Sequence, residues 1–125
     1  MGTNYYLATA SKETKDKYFR NYRLIDEPIW AYEIHIAKNS LGWIPLFQAH
    51  DGAFASYAEL RALVETGKFI LYDEYHQLLS WKEFDSIIQS KMDFIKDLKS
   101  HLGYNSSILY YKDLEGYEFT HREFS

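Results

Sequence analysis

The sequence predicts an α+β fold, a single compact domain over residues 1–125 in which a mainly antiparallel sheet of four to five strands packs against two helices. Three observations carry this expectation. Apolar residues alternate with period two in several short runs, two Ser-x-x-Glu capping boxes each open a run with helical spacing, and turn residues separate these runs without a linker or an internal repeat.

The first strand is read over 3–10, where Tyr5 and Leu7 alternate with Tyr6 and Ala8 before a Ser-Lys-Glu break. Residues 12–23 fit either a short helix or a long loop, and Asp26-Glu27-Pro28 forms a turn. Over 29–37, Trp30, Tyr32, Ile34 and Ile36 share one strand face, with Glu33 and His35 on the other. The turn at 38–42 leads to a partner strand over 43–50, in which Pro45 implies an edge position or a bulge because it removes a ladder donor. After Asp51-Gly52, the box Ser56-Tyr57-Ala58-Glu59 starts a short helix that Gly67 ends, and 68–72 is a strand. The box Ser80-Trp81-Lys82-Glu83 starts the longest helix, with Phe84, Ile87, Ile88, Ile95, Leu98 and Leu102 as its apolar stripe and Gly103 as its stop. A last strand is read over 108–112, followed by a tail that alternates rings and charges and either adds an edge strand or folds over the sheet.

Composition narrows the function classes. With no cysteine, disulfides, thiolate nucleophiles and cysteine-based zinc sites are excluded, and cytoplasmic chemistry is favoured. A net charge of −4 argues against general nucleic-acid binding, which draws its affinity from neutralised phosphates. No apolar run approaches the ~18 residues needed to span a bilayer, and the opening residues match neither a secretory signal nor a myristoylation site, so no membrane association is expected. The excess is aromatic: 12 Tyr, 3 Trp and 8 Phe in 125 residues, many beside polar neighbours. A phenol ring supplies contact area and one polar handle at low entropic cost, which suits a recognition surface; filling a thin core is the plainer use.

Two stretches join rings to cations. Lys12, Lys15, Lys17, Arg20 and Arg23 are interleaved with Tyr18, Phe19 and Tyr22, a pattern that can hold phosphate while rings stack, or can be a solvated face. His35, Lys38 and Ser40 stand where a strand enters a turn just ahead of Trp43, so a cation, a hydroxyl and a stacking ring come close together. It is not a P-loop, since the glycine spacing is absent, and a polar hairpin turn with Glu33 and His35 as a surface pair is the plainer reading. His50-Asp51 and the 73–76 stretch concentrate histidine and carboxylate but fit no zinc spacing, and no serine sits in a nucleophile elbow. A composite of His35, His50 and His76 is the remaining metal option. No metal, cofactor or catalytic residue is therefore expected.

In islands from end to end, the chain resembles a family of small phage and prophage proteins that begin Met-Gly-Thr-Asn-Tyr-Tyr. The islands are 1–7, 35–43, 73–75 ahead of the Ser80 box, and 116–119 with 122–125. Family members place a cysteine-rich segment after the first strand and carry Gly-Lys-Ser-Ser where this chain has Ala37-Lys38-Asn39-Ser40; this chain has neither feature. The resemblance implies a phage origin, an accessory role and a location in the cytoplasm of the infected host. Together with the residues, it gives the expectation of a non-enzymatic counter-defence protein that sequesters a small phosphorylated or nucleotide-like ligand through Tyr5, Tyr6, His35, Lys38, Ser40 and Trp43. Two alternatives stand beside it: an inhibitor that blocks a host defence protein in the manner of an anti-CRISPR, and a small nucleotide-processing enzyme. Self-association is compatible with each.

Overall fold

The computed structural model describes residues 3–25, 31–39, 45–102 and 111–120. It has the α+β architecture read from the sequence, with seven strands in one sheet and three helices among the described residues. In chain order these are β1 (Thr3–Thr9), α1 (Lys12–Tyr18), β2 (Arg23–Ile25), β3 (Ala31–Asn39), β4 (Leu46–Gln48), α2 (Tyr57–Glu65), β5 (Ile70–Asp73), α3 (Trp81–Leu102), β6 (Tyr111–Lys112) and β7 (Glu118–Thr120). The spatial order is β5-β1-β3-β4-β7-β6, with β2 also on β3, and every pairing is antiparallel except β4 with β7. The sheet exceeds the expected four to five strands because β2, with three residues, is too short to show a period, and because the tail also contributes a strand, β7.

Local chemistry explains the helices. Ser56 Oγ accepts from the Glu59 N–H at 3.2 Å while the Glu59 carboxylate accepts from the Ala55 N–H at 3.0 Å. Ser80 and Glu83 exchange the reciprocal pair of bonds at 3.1 and 3.0 Å. Gly67 closes α2 with φ at +75°, a left-handed turn that a side chain would strain. The ambiguous 12–23 stretch opens with a seven-residue helix, α1, capped by Ser11, that buries none of its own residues, and Phe19 just after it enters the core.

The core lies between one sheet face and the helices. Leu7, Ile34, Ile36, Phe47, Leu71 and Phe119 from the strands meet Leu60 and Leu63 of α2 and Phe84 and Ile88 of α3. Ile87, expected in the buried stripe, is 36% exposed and lies at the stripe's edge. The hairpin of β3 and β4 forms as read, with Ala37 opposite Phe47. Strand β4 is nevertheless internal, between β3 and β7, and Pro45 stands just ahead of its first ladder residue; the missing N–H therefore interrupts no ladder. The tail supplies β7, which is also an interior strand and not an edge. Trp30, the turns at 26–28 and 40–42, Gly103, residues 108–110 and the tail beyond 120 lie outside the described residues.

A β-bulge resolves a conflict in β3. Tyr5 opposes Ala37 but Tyr6 opposes His35, so Ile36 is the extra residue. Strict alternation from Ile34 and Ile36 would turn Lys38 into the core. With the bulge, Ile36 and Ala37 are both buried and Lys38 is exposed.

Candidate functional site

The sheet face away from the core carries the site. Along β1, Leu7 points into the core, whereas Tyr6 and Ala8 belong to a second, smaller cluster with Ala31, Ile25, Ile70 and Tyr72. Register puts His35, Tyr6 and Tyr72 side by side on three neighbouring strands. Their rings stack accordingly, at 4.8 Å between His35 and Tyr6 and 5.7 Å between Tyr6 and Tyr72.

Beside this row lies a buried carboxylate. Glu33 is 5% exposed, and its Oε1 accepts from Arg23 Nη2 at 2.6 Å and Nε at 3.1 Å. The Tyr72 hydroxyl donates to its Oε2 from two strands away. Ala8 stands between them, opposite both Glu33 and Ile70, and its small side chain lets the phenol reach across β1. Burial, with the Glu33 carboxylate, holds the Tyr72 phenol above its ordinary range and so keeps it protonated as the donor. Glu33 is thus no surface partner of His35, as the plainer sequence reading had it, but the anchor of Arg23.

Strand β3 creates the concavity. One of its flanks pairs with β1 throughout. The other is divided: β2 pairs with Ala31, Tyr32 and Glu33, and β4 with Ala37 and Lys38. Between them the His50 ring donates from Nε2 to the His35 carbonyl at 2.7 Å, a side chain where a strand would otherwise pair. A cavity of about 640 Å3 opens here, lined by residues 20–23, 33–35 and 48–51 together with Asn4 and Tyr6. That is within the ordinary size range of small-molecule sites.

His35 is held by its own strand, its Nε2 donating to the Ala37 carbonyl at 3.2 Å. Burial pushes its pKa down to about 4, against the upward pull of that carbonyl and with further depression from Lys38, His50 and Arg23. The ring is therefore a neutral stacking surface at neutral pH. Arg20 lies across the Asp51-Gly52 turn, where a Cβ on Gly52 would stand 3.4 Å from Arg20 Nε. With φ at +87°, Gly52 both makes the turn and leaves that space.

Of the six residues expected from sequence, Tyr6 and His35 meet at the cavity. Tyr5 does not: its ring faces the core, edge-on to Phe84 at 5.1 Å, because adjacent strand residues point to opposite faces. Lys38 is exposed opposite Asn4 and acts on the His35 charge, but is not part of the lining. Ser40 and Trp43 lie outside the described residues. The cations that do line the cavity, Arg20 and Arg23, come from the basic and aromatic run 12–23, which held the signal. Sequence gave no sign that this run folds back beside His35. Of the metal option, His76 sits beyond Tyr72, its ring 6.1 Å away, and among the described residues no group of three histidine or carboxylate side chains could hold a metal ion. Nor is any helix among them long and apolar enough to cross a membrane.

Comparison with protein-family models, curated proteins and solved structures returns no match. The site is therefore read from its own chemistry.

Proposed function

We propose that this chain is a binding protein whose outer-face cavity holds a small phosphorylated or nucleotide-like ligand, and that it serves a phage as a counter-defence protein by sequestering that ligand in the host cytoplasm. The observation that carries the binding reading is the convergence of two guanidinium groups, Arg20 and Arg23, with the rings of Tyr6, Tyr22 and His35 on one cavity. Guanidinium groups match phosphate oxygens in geometry and charge, and neutral rings take a base by stacking. The phage setting rests on the sequence resemblance alone.

Calorimetric titration with nucleosides and nucleotides, at two salt concentrations, tests the reading. Arg20→Ala should cost about 1.5–3 kcal/mol of binding to a phosphorylated ligand and flatten the salt dependence. Tyr22 is 43% exposed, so its truncation leaves the core intact; Tyr22→Ala should cost ~1–3 kcal/mol with the salt dependence unchanged. Lys38→Ala, outside the lining, should change affinity by less than about 0.5 kcal/mol. Equal losses in all three variants, or no binding by the wild type, would set the reading aside. A host-protein inhibitor would instead draw on Tyr75 and Leu78, 66% and 71% exposed on the loop after β5.

A further inference from the structure

The cavity's cations are matched by anions, and this bears on which ligands it can accept. Glu33 and Asp51 line it together with Arg20 and Arg23, so two carboxylates stand against two guanidinium groups. Arg23 is committed on one edge: its Nε and Nη2 both donate to Glu33 Oε1, at 3.1 and 2.6 Å. The carboxylate end of this pair is 5% exposed and the guanidinium end 71%, so the pair presents a cationic tip whose countercharge is fixed directly behind it. Tyr72 holds the other Glu33 oxygen, and the carboxylate cannot swing away without leaving a buried acceptor unmatched. Arg20 is laid over the turn that contains Asp51. Lys38, the nearest further cation of β3, is not in the lining. Burial keeps His35 neutral at physiological pH, so it adds no charge there. The rest of the lining holds no further Lys, Arg or carboxylate and is amide-rich, with Asn4, Asn21 and Gln48 beside the tyrosine rings and the His50 ring bonded to the His35 carbonyl.

We infer that the cavity takes a nucleoside-like ligand carrying at most one negative charge, a free nucleoside or a cyclic mononucleotide, and discriminates against nucleoside di- and triphosphates. The inference rests on the nucleotide-binding reading above and narrows it. A single phosphodiester charge meets the tips of Arg20 and Arg23, and the amides and rings meet base and sugar. Each further phosphate charge finds no further cation within the lining and approaches Glu33 and Asp51, a juxtaposition of like charges that opposes binding. Dedicated polyphosphate sites solve this with a glycine-rich backbone cradle, a lysine and a divalent cation.

The test is calorimetry on the full chain with adenine, guanine, cytosine and uracil series, each comprising the nucleoside, the 3′,5′-cyclic monophosphate, the 5′-diphosphate and the 5′-triphosphate. The expected result is that the cyclic monophosphate or nucleoside of the preferred base binds at least about tenfold more tightly than its triphosphate. Asp51→Asn, at an exposed turn position, should narrow that ratio several-fold by removing one opposing charge. Glu33→Gln, where it folds, should narrow it further. A triphosphate that binds as tightly as the cyclic monophosphate, or a ratio that Asp51→Asn leaves unmoved, overturns the charge inference while the nucleotide reading survives. Failure of every probe to bind removes both together.

Discussion

Burying the His35 imidazole against Tyr6 makes the protonated ring costly, outweighing the opposite pull of the Ala37 carbonyl on its Nε2–H, and folding stability inherits a pH dependence from that one residue. In the folded chain its pKa is about 4, whereas in the unfolded chain it returns to roughly 6.5. Between those values the unfolded state binds more protons, so the contribution is fully present above pH ~6.5 and is lost as the pH falls towards ~4. Discounted for the ring's partial exposure, the loss should be about 2–3 kcal/mol. Urea melts of the wild type and His35→Gln from pH 4.5 to 7.5 isolate it, since every other titratable group is common to both proteins. The gap between their stabilities should shrink with falling pH; a gap constant across the range would show that His35 protonates as freely in the fold as in water. The same residue shows what sequence could supply at this scale. Alternation placed His35 and Glu33 on one strand face, correctly, but burial of Glu33 depends on a tyrosine reaching across an intervening strand over Ala8, and no local pattern records that.

At the scale of elements, legibility follows the range of the interaction. Both capping boxes were readable because each is closed within four residues. Strands β1, β3 and β5 were readable because each runs long enough to display a period. The bulge at Ile36 was not, since it is fixed only by pairing with β1. The three-residue β2 was hidden for the same reason, and with it the folding of Arg20 and Arg23 towards β3. Helix α3 offers a test of where the apolar stripe ends. Ile88 is fully buried among sheet residues while the adjacent Ile87 is 36% exposed. Ile88→Ala should cost about 2–5 kcal/mol, whereas Ile87→Ala should cost less than ~1 kcal/mol. Chemical denaturation of both variants decides it: similar losses would mean that the helix is rotated about its axis relative to the packing described.

For the molecule as a whole, integrity depends on the loop ahead of β7, which ties α2, α3 and the sheet together. Asp113 Oδ1 accepts from the Glu115 and Tyr117 N–H groups at 3.0 and 2.9 Å, which shapes the loop into β7. Its Oδ2 accepts from the Tyr57 N–H at 2.8 Å, one of the donors that the first turn of α2 cannot satisfy internally. Above that bond the Tyr57 and Tyr117 rings stack at 3.9 Å, and the Tyr57 hydroxyl donates to Asp85 of α3 at 2.7 Å. Gln89 of α3 bonds both Asp85 and the Tyr117 hydroxyl. One carboxylate therefore fixes loop, helix and strand in a single arrangement, and β7 enters beside β4 with Phe119 stacked on Phe47 at 5.2 Å. An asparagine at 113 retains one acceptor oxygen but presents an amide nitrogen to whichever donors lose theirs, so it can serve the loop or the helix but not both. Asp113→Asn should accordingly cost about 1–3 kcal/mol, the penalty of leaving a partly buried donor unmatched, and should lower the melting temperature. Ending the chain at Leu114 removes β7 altogether, exposes the flank of β4 and uncovers Phe47; that protein should lose its cooperative thermal transition. If the truncated chain instead melts cooperatively within a few degrees of the full one, β7 is an accessory to a sheet that closes without it.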